Sequence, residues 1–232
     1  MAIRKVPFVV GEYYHLYNRG NSKQKIFLDK KDYEHFVKLL FVCNSNNKFK
    51  FRDNIVACKI DAFDFEREEA LVSIGAWVLM PNHFHLYITA NPHMSDMWKS
   101  CKKNPISEYI RKLLTAYTKY FNIKYNRSGG LFEGSFKSVH VDSDNQAKYL
   151  FSYIHLNPVK LIQKNWKENG LKNKNEVLEF LSNYRWSSYL DFREVVRREN
   201  KILNIENFPK YFNDIKNFDK EIINWLKLKE NS

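Results

Sequence analysis

The sequence predicts an α+β fold, in which an antiparallel sheet of the ferredoxin-like or RRM-like kind is covered by helices and followed by a C-terminal extension. Three observations carry that expectation. Segments with β-rich, aromatic character at 13–18, 71–80, 83–89 and 136–141 are interspersed with segments at 29–42, 106–125 and 144–156 whose apolar residues recur at helical spacing. The resulting order is strand, helix, strand, strand, helix, strand, helix. The two middle strands are separated only by Pro81-Asn82, a turn signal, so they form a hairpin. Hairpin-linked strands with interspersed helices are the pattern of a sheet packed against helices.

Each element has a local cause. The first strand, YYHLYN at 13–18, ends at Arg19-Gly20. In the first helix Asp29 stands at the capping position, and Tyr33, Phe36, Val37, Leu40 and Phe41 share one face. Residues 44–50 are polar, 55–65 have no assignable type, and 66–69 are charged. LVSIGAWVLM at 71–80 and HFHLYIT at 83–89 are the hairpin strands. Asn104-Pro105 opens a helix with Ile110, Leu113, Leu114, Tyr117 and Phe121 aligned, and Ser128-Gly129-Gly130 ends it. A strand at 136–141 precedes a helix at 144–156, which Asn157-Pro158 stops. The remainder is rich in Lys and Asn, with YRWSSY at 184–189 and a helix expected at 217–228. No internal repeat is present. The chain divides into a domain at 1–160, with an insertion around 44–69, and a helical extension at 161–232.

Composition narrows the function classes. Of 232 residues, 44% are apolar and 16% aromatic, enough for a buried core. No apolar run approaches the roughly 20 residues that span a bilayer, and the N-terminal residues lack the long apolar region of a signal peptide. Three widely spaced cysteines, Cys43, Cys58 and Cys101, form neither a disulfide framework nor a zinc-finger pattern, and a reducing cytoplasm is the simplest setting. A net charge of +12 favours a polyanionic partner over a membrane, because neither a basic amphipathic helix nor a lipidation motif accompanies it.

Four residues have spacing that fits chemistry. His83 and His85 lie two apart on a strand, so their imidazoles point to one face and can form a metal edge. Two packed histidines on an aromatic strand would read the same way. Tyr153 and Asn157 lie four apart on a helix and share a face. A tyrosine hydroxyl can act as a covalent nucleophile, and an amide oxygen beside two imidazoles leaves open positions that suit Mg2+ or Mn2+. The spacing does not choose Tyr153 over Tyr149. Basic residues near glycines and aromatics occur at Asn18-Arg19-Gly20 and between Arg127 and Lys137, where they can meet phosphates and unpaired bases.

These stretches together resemble the single-tyrosine HUH transposases, and among them the bacterial REP-associated tyrosine transposases. The likeness rests on H-L-Y-N-R-G at 15–20, M-P-N-H-F-H-L at 80–86, R-S-G-G-L-F-E-G-S-F-K-S at 127–138, and Y-I-H-L-N-P at 153–158 followed by W-S-S-Y at 186–189. It covers roughly residues 11–190. The resemblance implies the HUH form of the ferredoxin-like fold, metal ligation by His83, His85 and Asn157, and Tyr153 rather than Tyr149 as the nucleophile. It implies cleavage of single-stranded DNA near a hairpin through a 5′-phosphotyrosine, without nucleotide hydrolysis, with DNA contacts from Asn18, Arg19, Arg127 and Lys137. Both monomers and homodimers occur among such proteins. The long 44–69 segment and the tail after 190 depart from the pattern. Two other readings are a domesticated protein that binds structured single-stranded DNA without cutting it and a metal-dependent nuclease that uses water.

Overall fold

The computed structural model describes residues 7–92, 104–212 and 217–231. Cys101 lies outside these. The described strands are β1 (Tyr13–Arg19), β2 (Val72–Met80), β3 (His83–Ala90) and β4 (Lys137–Val141). They form one antiparallel sheet in the order β2-β3-β1-β4, in keeping with the ferredoxin-like sheet expected from the sequence. Three longer helices, α1 (Lys30–Val42), α2 (Pro105–Lys124) and α3 (Asp144–Leu156), fall where the apolar spacing places them. Each opens on a side chain that accepts a free backbone N–H: Asp29 from Asp32, Asn104 from Ser107, and Ser143 from Gln146. The Asp32 carboxylate in turn accepts the Asp29 N–H and completes a capping box.

Strand parity divides the sheet into two faces. Leu16, Trp77, Leu79, Phe84, Leu86 and Ile88 point one way and pack with Phe36 and Leu40 of α1 and Leu113, Tyr117 and Phe121 of α2. Ala76, Val78 and Tyr87 point the other way and meet Leu150, Phe151 and Ile154 of α3. Residues after 160 complete this second layer. Short helices α4 (Trp166–Asn169), α5 (Lys174–Asn183), α6 (Tyr189–Phe192) and α7 (Phe218–Asn224) bring Trp166, Val177, Leu181, Tyr189, Phe218 and Ile222 into the same core as α3. Burying a large apolar side chain stabilises by about 1.5–3 kcal/mol, so the tail is a structural part of the layer that holds α3.

Two local features fix this layer. A bulge at Gly75 interrupts the β2–β3 register, and the ring of Phe208 lies so close that a Cβ at Gly75 would meet it at 2.8 Å. Residues 186–188 also add to the free edge of β2. Leu79 N–H donates to the Trp186 carbonyl and Ser188 N–H to the Trp77 carbonyl, each at 2.9 Å. Covering the edge removes a row of unpaired backbone groups.

Some elements differ from the expectation. The untyped 55–65 region folds as a π-helical turn, Arg52–Val56, and a 3-10 turn, Ala62–Asp64. The helix expected at 217–228 is shorter, and α7 tightens into the 3-10 segment Trp225–Asn231. Cys43 is buried and Cys58 exposed, both as free thiols. Among the described residues no helix is long and apolar enough to cross a membrane.

Candidate metal and nucleophile site

The site lies where β1 and β3, the two inner strands, face α3. His83 and His85 occupy alternate positions of β3, so both rings reach this face, with centroids 5.0 Å apart. His15 of β1 joins them. Its Nε2 is 2.8 Å from Nδ1 of His85, and the two ring centroids are 5.0 Å apart. Across the ladder Tyr17 pairs with His85 and Arg19 with His83. On the far side of β1, Lys137 pairs with Tyr17.

α3 brings Tyr153 over the histidines. The Tyr153 ring centroid is 5.4 Å from that of His85 and 6.3 Å from that of His15. Tyr149 stacks one turn away, 6.3 Å from Tyr153. One turn after Tyr153 the helix ends at Asn157, whose side chain is buried beside His83. The α4 residue Lys167, itself exposed, places its ammonium 3.9 Å from the centre of the Tyr153 ring.

Burial controls the charge state here. It pushes the imidazoles of His15 and His83 down to about 4, and His85 well below the usual histidine range. The positive charge of Lys167 adds to the effect on all three, and Lys160 and Arg19 add to it at His83, where the Asn157 side chain opposes it by favouring the protonated ring. Neutral imidazoles are the form that ligates metal.

Two buried atoms in this cluster have no partner in good hydrogen-bond geometry, Nε2 of His85 and Oδ1 of Asn157, although the Asn157 side chain is close enough to act on the His83 ring. An unpaired buried polar atom costs about 1–3 kcal/mol, a cost that a bound partner would offset. Nδ1 of His83 is held by Oδ1 of Asn82 at 2.6 Å, which leaves its Nε2 for another partner. Among the described residues no group of three or more His, Cys, Asp or Glu side chains could hold a metal ion; the group beside His83 is the amide of Asn157. The residues fit a divalent cation in donor type, burial and unsatisfied valence.

The other candidate DNA contacts separate. Arg19 and Lys137 share the histidine face, although Arg19 forms an ion pair with Glu133 at the surface. Asn18 points to the opposite face, where it is buried, accepts the Arg19 N–H and donates to the Gly134 carbonyl. Arg127 lies beyond the end of α2 with its guanidinium over Phe121, in the layer across the sheet from the site. His15 and Lys167 were not picked out by sequence reasoning. His15 carried a readable signal, because it shares strand parity with Tyr13 and Tyr17. Lys167 carried none, because only the path of the tail brings it to Tyr153.

No protein-family model matches the chain. No curated protein matches it either. Its fold is similar to that of a solved tyrosine transposase. That structure is described as a REP-associated tyrosine transposase bound to a REP hairpin; the likeness has a TM-score of 0.48 and 15% sequence identity, and covers 86% of this chain and 90% of that one.

Proposed function

We propose that this chain cleaves and rejoins single-stranded DNA near hairpins, with Tyr153 as the covalent nucleophile. The observation that carries this reading is the placement of the Tyr153 ring beside His85, where buried Nε2 of His85 and Oδ1 of Asn157 stand without partners. A tyrosine packed against unsatisfied ligand atoms is a nucleophile next to a phosphate-activating centre. His83, His85 and Asn157 would hold a divalent cation, Mg2+ or Mn2+, which supplies charge neutralisation and polarisation at the phosphate.

The chain's own residues do the rest. The Tyr153 oxygen attacks the scissile phosphorus, a P–O bond to Tyr153 forms, and the bond to the 3′ oxygen breaks. The phenolic proton is released to solvent, and the departing 3′ oxygen takes one up as a free hydroxyl. The 5′-phosphotyrosine keeps the bond energy, so the reverse attack by a 3′-OH rejoins the strand without a nucleotide cofactor. Lys167 stands over the Tyr153 ring and supplies positive charge beside the nucleophile. Arg19 and Lys137 extend the basic surface on the same face. The Tyr153 ring lies against the histidines of its own chain, which supports attack within one chain.

The test uses labelled single-stranded hairpin oligonucleotides with Mn2+ or Mg2+. Wild-type protein cleaves, and His83→Ala and His85→Ala fold but do not cleave. Cleavage at the wild-type rate by either variant would remove the metal site from the account. Binding without cleavage by the wild-type chain would favour the domesticated binder.

A further inference from the structure

We propose that His15 is a positioning residue for the metal site, accepting the Nδ1–H of His85 so that Nε2 of His85 keeps its lone pair for a cation. The inference rests on the metal reading above and adds to it a residue 70 positions away in sequence. Two neutral imidazoles 2.8 Å apart share one proton between them, so one ring donates and the other accepts. If His15 donated, His85 would carry its own N–H on Nε2. That atom is buried and has no acceptor, so the arrangement would leave a stranded donor and remove the lone pair a cation needs. With His15 accepting, His85 Nε2 keeps its lone pair, which a cation at this position would satisfy. His83 follows the same rule, since Asn82 Oδ1 accepts its Nδ1–H at 2.6 Å. Each histidine of the pair therefore has its own acceptor behind it, as ligating histidines usually do.

The surroundings fix His15 for this task. Its ring lies 4.9 Å from Tyr17 and 6.3 Å from Tyr153, and it sits diagonally across the β1–β3 ladder from His85, where Tyr17 is the direct partner. A diagonal neighbour on the same face reaches the Nδ1 side of the His85 ring and leaves Nε2 unpaired.

The test is calorimetric titration of full-length protein with Mn2+, comparing wild type, His15→Gln and His15→Phe, with thermal melting of each metal-free protein. His15→Phe is expected to weaken Mn2+ binding by roughly 10–100-fold. His15→Gln, whose amide oxygen can accept the same proton, restores most of that affinity, and the melting temperatures stay level. In wild-type protein loaded with diamagnetic Mg2+, 15N NMR of His85 shows the proton on Nδ1. Mn2+ binding by His15→Phe equal to wild type, or a proton on Nε2 of His85, would overturn the proposal. Failure of the metal reading itself shows separately, as wild type and His83→Ala binding Mn2+ indistinguishably, and that result would overturn the His15 role as well.

Discussion

His155 and Ser188, 33 residues apart, share a fully buried hydrogen bond of 2.8 Å between ring Nε2 and hydroxyl. The other ring nitrogen, Nδ1, donates to the Phe151 carbonyl at 2.8 Å, so Nε2 is the acceptor and Ser188 the donor. The Ser188 oxygen in turn accepts the Trp77 N–H at 3.0 Å. One serine thus joins the Tyr153 helix, the added edge segment and β2. Ser188→Ala leaves the buried Nε2 without a donor, and it should lower stability by about 1–3 kcal/mol. A urea midpoint equal to wild type would show that the link is not structural.

A second anchor lies across the sheet. The buried carboxylate of Asp32 accepts from Leu28 N–H at 2.7 Å, from Tyr125 hydroxyl at 2.7 Å and from the Lys124 ammonium at 2.6 Å. It joins the start of α1 to the end of α2. Asp32→Ala should cost about 2–4 kcal/mol, because several donors are deprived of a charged acceptor at once. Equilibrium unfolding measures the effect, and a change under about 1 kcal/mol would contradict an anchoring role.

Acid should weaken the fold through His35, outside the site. Its ring stacks on Tyr120 at 3.8 Å, and burial pushes its imidazole down to about 4. The unfolded chain therefore binds the proton more readily than the folded one. The stabilisation is complete above the unfolded value near 6.5 and is lost as pH falls toward 4. The contribution is about 1–3 kcal/mol after allowance for partial exposure. His35→Gln should lose less stability than wild type between about pH 7.5 and pH 4.5 in paired denaturation curves. Equal losses in the two proteins would assign the acid sensitivity elsewhere.

Much of the site was legible because its signals are local. The alternation that places His83 and His85 on one face and the turn that aligns Tyr153 with Asn157 depend only on strand and helix periods. The sheet class followed from the hairpin and the helix pattern. Other features depend on where distant segments meet. The His15–His85 bond needs β1 beside β3, Lys167 needs the tail to turn back over α3, and the 186–188 edge pairing needs a chain path that no local period encodes. The motif reading grouped Asn18 with Arg19, but strand parity sends them to opposite faces, and only Arg19 reaches the site side.

The same geometry sorts the basic residues. Lys137→Ala and Lys167→Ala should each weaken binding of a single-stranded hairpin and lower the salt slope by about 0.7 for each phosphate no longer neutralised. Arg127→Ala, across the sheet from the site, should leave the slope within error. Fluorescence anisotropy over a salt series reads both. A larger effect at Arg127 than at Lys167 would move the DNA path to the α2 face.

The covalent role proposed for Tyr153 is central, and one experiment addresses it directly. Wild-type protein and Tyr153→Phe are incubated with 5′- and 3′-labelled hairpin oligonucleotides and Mn2+, then denatured and resolved on a gel. The account predicts that label on the 5′-phosphate side stays with wild-type protein through denaturation, and that Tyr153→Phe forms no such adduct while still binding the DNA. Cleavage by both proteins without any adduct would contradict it and identify water as the nucleophile.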